Sequence, residues 1–198
     1  TVDDQRDKKI ATPSLGNTQD VALRAWLKDQ GLSTDTAGGG DVAITPLENA
    51  DTLAAFIEGS VDGAWVPEPW ATRLVQEGGG KVFLDEATLW PDGQFVTTHL
   101  LVRTQFLEQY PGTVKALITG ELAALDFIAE SSDEAKTITN GGIERITTKR
   151  LPDAVIDSAW GNLEFTWNPV ASSLQKSADD AIEAGLLDPV DLKGIYDL

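Results

Sequence analysis

The sequence predicts an α/β fold whose first half carries a parallel sheet and whose second half is mostly helical. Three observations predict it. Short β-rich runs alternate with amphipathic stretches through the first 94 residues. The spacers between those runs are long enough to hold helices, which is what parallel crossovers need and hairpins do not. After residue 95 the pattern turns helical, with a single further strand candidate.

The elements follow in order. Lys9–Pro13 reads as a short strand closed by a breaker. Thr18–Gln30 reads as a helix, with Val21, Ala22, Ala25 and Trp26 on its apolar side. Thr34–Gly40, with three successive glycines, is a loop, and Asp41–Thr45 is the next strand. Asn49 is expected to cap a helix through Ile57 that Gly59 stops. Gly63–Val66 reads as a third strand, Pro67–Glu77 as a helix, and Lys81–Leu84 as a fourth strand. Phe95–Val102 is the longest strand candidate, because it is rich in β-branched residues. Thr104–Gln109, Pro111–Ala129, Ser132–Thr139, Pro152–Leu163 and Pro169–Ala184 carry helical spacing, and a last turn is expected at Pro189–Leu192. Pro111, Pro152 and Pro169 sit at helix starts, where the missing N–H is tolerated. The expected domains are therefore 1–94, a complete α/β lobe, and 95–198, one strand plus helices. One strand is a poor platform for that many apolar stripes, so the second part lacks a sheet of its own.

Composition excludes several functions. Fifteen Lys plus Arg stand against thirty-two Asp plus Glu, a net charge of −17, divided almost evenly between the halves. This balance argues against nucleic acid or anionic membrane as a partner, because phosphate binding needs clustered cations. The chain has no cysteine, which removes disulfides, thiolate metal sites and thiol nucleophiles. Its one histidine, His99, cannot make a zinc cluster. No metal and no cofactor are expected. No apolar run reaches membrane-span length, and the charged start is unlike a signal peptide.

The strongest functional pattern is Thr12-Pro13-Ser14-Leu15-Gly16-Asn17-Thr18-Gln19-Asp20, a strand passing through a polar turn into a helix. Exposed N–H groups and the dipole at a helix start favour an anion, and Ser14, Asn17 and Thr18 add neutral donors. The plainer reading is that Asn17 only caps the helix. No Gly-Lys-Ser/Thr follows, so the turn is not a phosphate loop. The second pattern is Asp62-Gly-Ala-Trp65-Val-Pro67-Glu68-Pro69-Trp70. Trp65 could pack an aliphatic ligand tail and donate its indole N–H to an anion. Glu68 could read a ligand amine or hydroxyl, or steady its own helix start. Trp65 and Trp70 also read as core aromatics, and Trp160, Phe165 and Trp167 as helix-packing or cleft-rim aromatics, with the core reading preferred. His99 in its strand reads as a hydrogen-bonded residue or a ligand contact.

These stretches resemble a known family. Lys8–Leu27, Asn49–Phe56, Asp62–Trp70, Leu89–His99 and the closing Ala171–Asp179, Gly185–Leu187 and Asp191–Asp197 are similar to the solute receptors of ABC importers, in the aliphatic sulfonate, taurine and nitrate branch. Trp65-Val-Pro-Glu-Pro-Trp70 is the most specific of them. The resemblance implies a type II periplasmic-binding-protein fold, with 1–94 as lobe II and 95–198 as the hinge strand and helical C-terminal part of lobe I. It implies binding of a small organic sulfonate or related oxyanion between the lobes, delivery to a permease, no catalysis, and a periplasmic or extracellular location. Ser14, Gly16, Asn17 and Thr18 match the anion-holding helix start, Trp65 and Glu68 the cleft wall, and His99 a position near the second hinge crossing. Family receptors begin with roughly a hundred further residues, so an amino-terminal segment is expected to be missing. Self-association or another chain is then expected to cover an exposed helix face. Enzymes on the same fold, which resemble desulfinases or thiamin-precursor synthases, are disfavoured by the absent Cys and the single His. A sensory module would need an appended DNA-binding or membrane segment, which is not seen.

Overall fold

The computed structural model describes residues 1–196. The chain divides into two compact units, residues 1–95 together with the chain from Val170 on, and residues 96–169. The C-terminal helix thus groups with the first unit, whereas the sequence placed it in 95–198.

The first unit is built on a three-stranded parallel sheet of order β2-β1-β3. β1 is Lys9–Thr12, β2 Ala43–Pro46 and β3 Gly63–Ala64. β1 pairs in register with both neighbours, Lys9 opposite Ala43 through Thr12 opposite Pro46, and Ile10 opposite Gly63. As the central strand it is covered on both faces, and Ile10, Ala11 and Thr12 are all buried. Between the strands run α1 (Thr18–Asp29) and α2 (Asn49–Ile57), and α3 (Trp70–Gln76) follows β3. Leu23, Trp26 and Leu27 of α1 close over Ile10, Val42 and Ile44 to make the core, which Leu32 completes. Burying side chains of this size contributes about 1.5–3 kcal/mol each before ordering costs. The amphipathic face of α1 is therefore what fixes it on the sheet. The C-terminal helix α8 (Ala171–Glu183) lies along α1, tied by the Lys28–Glu183 ion pair.

The second unit holds α4 (Thr104–Gln109), α5 (Pro111–Glu130), α6 (Ser132–Thr147) and α7 (Asp153–Trp160). Its core is small: Leu151, Val155 and Ile156 against Ile143. Asn140 is 1% exposed, donates to the Leu151 carbonyl at 2.9 Å and accepts the Leu151 N–H at 3.0 Å. One side chain thereby satisfies both backbone groups where the chain turns from α6 to α7. On α5, Leu117, Ile118, Leu122 and Phe127 are exposed.

Several expectations are corrected. Among the described residues, Lys81–Leu84 and Phe95–Val102 belong to no strand of the sheet, and Val82, Phe83 and Leu101 are exposed. β propensity makes a strand only where another strand receives its hydrogen bonds. Asn49 is the first residue of α2 rather than its cap, a place taken by Glu48, and its Oδ1 is buried without a partner. The helix expected from Pro67 begins at Trp70, after a turn with a cis Glu68–Pro69 bond. α6 runs past Thr139 to Thr147 across two glycines, because Ile143 is drawn into the Leu151 cluster. Trp167, expected in the core, is 75% exposed. The last turn falls at Leu192–Ile195, three residues beyond the expected start.

Candidate ligand-binding site

The sheet order defines the site. From β1 the chain crosses to β2 on one flank, then returns past β1 to β3 on the other. The loops leaving β1 and β3 therefore diverge, and the crevice between them at the carboxyl ends is where open parallel sheets take ligands. Two bonds hold that edge: the Leu47 N–H donates to the Thr12 carbonyl at 2.8 Å, and the Trp65 N–H to the Ala11 carbonyl at 2.9 Å. The turn at 13–17 thus sits between the exits of β2 and β3.

The turn is shaped by Asp20. This residue is fully buried, and its carboxylate accepts from the Thr12 hydroxyl at 2.9 Å, the Gly16 N–H at 3.0 Å and Arg24 Nε at 2.9 Å. Gly16 sits at φ +76°, a conformation costly for a residue with a Cβ. Asn17 caps α1 by accepting the Asp20 N–H at 2.9 Å. Its amide donates to Gln19 Oε1 at 3.1 Å, and the Thr18 hydroxyl donates to the same oxygen at 3.0 Å. Two of the three expected side-chain donors are therefore committed within the turn, as is the Gly16 N–H. Among the described residues, no protein acceptor takes the N–H of Ser14, Leu15, Thr18 or Gln19. Those four groups lie with the exposed Ser14 hydroxyl at the positive end of the α1 dipole.

The β3 side differs from expectation in detail. Trp65 packs on the α1 core, its ring 6.0 Å from that of Trp26. Its indole N–H is taken by Glu86 Oε2 at 2.6 Å, so that group is not left to donate to a ligand. Glu68 accepts the Thr72 N–H at 3.1 Å and the Thr72 hydroxyl at 3.0 Å. Of the two readings of Glu68, the structure shows the one in which it steadies the start of α3. Trp70 is half-buried beneath the Arg73 guanidinium, 4.4 Å from its ring.

His99 lies in the second unit, its Nε2 3.2 Å from the Pro169 carbonyl. The structure thus gathers Ser14, Gly16, Asn17 and Thr18 in one turn, with Trp65 and Glu68 on the adjoining exit, while His99 belongs to the second unit. Sequence reasoning missed Asp20, Arg24 and Glu86. The first two carried a legible signal, an Asp and an Arg four residues apart on the apolar face of a helix. Glu86 carried none, because its partners are 21 residues back and 4 residues on, outside any periodic element. Among the described residues, no cluster of three His, Cys, Asp or Glu could hold a metal.

The profile of the NMT1-like family matches residues 1–140. The chain belongs to that family. It is similar to the nitrate/nitrite binding protein NrtA of Nostoc sp. (strain PCC 7120), 26% identical over 164 residues that cover 82% of this chain and 35% of that protein. It is similar also to the taurine-binding periplasmic protein of Escherichia coli K12, 32% identical over 59% of this chain and 34% of that one. The chain spans about a third of the length of these curated relatives. The alkanesulfonate-binding protein SsuA of Xanthomonas axonopodis pv. citri, solved with MOPS, superposes with a TM-score of 0.70 at 19% identity, over 96% of this chain and 62% of that one. The fold of this NMT1-like chain is therefore that of a periplasmic binding protein. No helix among the described residues is long and apolar enough to cross a membrane.

Proposed function

We propose that this chain is the ligand-receiving part of an extracytoplasmic solute receptor serving an ABC importer, and that it binds a small oxyanion at the start of α1. Nitrate, bicarbonate, taurine and alkanesulfonates are the candidate ligands. The observation that carries the reading is the set of unbonded N–H groups at 14, 15, 18 and 19, placed at the switch point of the sheet. Each candidate presents oxygens that accept such N–H groups, and a sulfonate adds an aliphatic tail that suits the face of Trp65. The role is binding and hand-over to a permease in the periplasm or outside the cell, without catalysis. Ser14, Gly16, Asn17 and Thr18 are the residues proposed to receive the anion, with Trp65 and Glu68 on the adjoining β3 exit.

Isothermal titration of the chain with nitrate, bicarbonate, taurine and ethanesulfonate tests the reading. At least one is expected to bind in a 1:1 ratio, and to be displaced by another of the set. Heat from none of the four at millimolar concentration, for a chain whose amide spectrum shows it folded, overturns it.

A further inference from the structure

Glu86 stands in a short helical turn, Glu86–Leu89, on the segment that leads out of the first unit's sheet layers. It is half-buried, and its two oxygens are divided between two tryptophans. Oε2 accepts the Trp65 indole N–H at 2.6 Å, and Oε1 accepts the Trp90 indole N–H at 3.2 Å. Trp65 leans on Trp26 of α1. Trp90 stacks on Phe95 with ring centroids 5.3 Å apart and planes within 8°. Lys176 of α8 sits over the Trp90 ring, its Nζ 5.1 Å from the centroid, and also pairs with Asp180. One carboxylate therefore joins the exit of β3, the 90–95 segment and, through Trp90, the C-terminal helix.

The chemistry of the join depends on charge. An ionised carboxylate has two equivalent acceptor oxygens, one for each indole. A protonated one has a single carbonyl oxygen and a hydroxyl that accepts poorly. We propose that Glu86 is a proton-operated positioning residue: ionised, it holds Trp65 and Trp90 together, and protonated, it holds only one of them. Burial raises the proton affinity of Glu86 above that of an ordinary glutamate, against the pull of the two indole N–H groups. The charged groups acting on it are Asp85 on its own turn, which opposes ionisation, and Lys176 from α8, which favours it. The release therefore falls at a less acidic pH than ordinary carboxylate titration. Where Trp65 lines the anion site, which rests on the function proposed above, the affinity for the anion declines on acidification, about two- to tenfold for one lost hydrogen bond.

The test is a pH series of proton–nitrogen correlation spectra on the labelled 198-residue chain. Trp65→Phe and Trp90→Phe assign the two indole signals among those of the six tryptophans. Both are expected to move with one shared midpoint above the ordinary glutamate value, and Glu86→Gln is expected to remove the step. Absence of a step in the unsubstituted protein over roughly pH 4 to 8, or separate midpoints for the two signals, overturns the proposal and needs no variant to fold. Titrations with nitrate and taurine on either side of the midpoint form a separate arm. A shared indole step without binding of either probe supports the clasp and overturns the receptor reading alone. Binding that is equally tight on both sides overturns the link from Glu86 to the site.

Discussion

Proline at position 18 isolates the backbone donor from everything else in the turn. Thr18 is the first residue of α1, a position where proline is well accepted because its N–H has no helical partner. The preceding residue, Asn17, is at φ −75° and ψ 173°, the extended conformation that a following proline requires. Thr18→Pro should therefore fold with its cap intact. It deletes one of the four unbonded N–H groups and the Thr18 hydroxyl, and Thr18→Ala deletes the hydroxyl alone. A hydrogen bond from an N–H to a charged acceptor is worth roughly 1.5–3 kcal/mol. Calorimetry is thus expected to show Thr18→Pro binding its anion about ten- to a hundredfold more weakly. Thr18→Ala, whose hydroxyl is bonded to Gln19 rather than directed to ligand, should stay within about threefold. Equal affinity for Thr18→Pro and the parent would refute the claim that the amides at the start of α1 hold the anion.

Arg24→Met leaves the buried Asp20 carboxylate without its cation, and should cost roughly 3–5 kcal/mol; Asp20→Asn with Arg24→Met should recover most of it in urea melts, and a single-variant loss under about 1 kcal/mol would contradict the network. Asn140→Ala orphans both backbone groups of Leu151, at a cost of about 2–4 kcal/mol, and hydrogen exchange at the Leu151 amide should accelerate while the first unit is unchanged. Hydrogen bonds from the Lys9 N–H and Lys8 hold Asp62 below the ordinary aspartate range, and the Ser33 hydroxyl and N–H do the same for Asp41. Their stabilisation is complete above the ordinary aspartate value and is lost as pH falls through their lowered values, so acid unfolding should lie below that value and Asp62→Asn should flatten it.

What was legible in the sequence was whatever depends on local pattern. β1, α1 and β2 were placed within two residues, because the apolar stripe of α1 and the runs around Ile10 and Ile44 serve one core. The turn at 14–18 was legible for the same reason, since a strand, a glycine and a capping Asn follow one another along the chain. Phe95–Val102 was misread because its β-branched residues state a preference that only a neighbouring strand can fulfil. The indole of Trp65 and the carboxylate of Glu68 were assigned to a ligand on their chemistry, yet Glu86 and Thr72 occupy them. Glu86 is remote from Trp65 in sequence, and a partner brought by tertiary structure leaves no trace in a local motif.

The charge of the chain poses the remaining problem, since a protein of net charge −17 should repel the anion it is proposed to bind. The geometry resolves it at short range. Surface carboxylates act through water and salt, which screen them beyond about 8 Å at physiological ionic strength. The carboxylate that touches the turn, Asp20, is not screened by distance, because one of its oxygens bonds the Gly16 N–H. Its charge is met instead by Arg24, whose Nε and Nη2 reach the two oxygens at 2.9 and 3.3 Å inside the core. The ion pair thus lets a carboxylate organise the turn without presenting its charge to the ligand. Neutral amides then face the crevice with the helix dipole behind them, and the site needs no lysine or arginine of its own to be locally attractive to an anion.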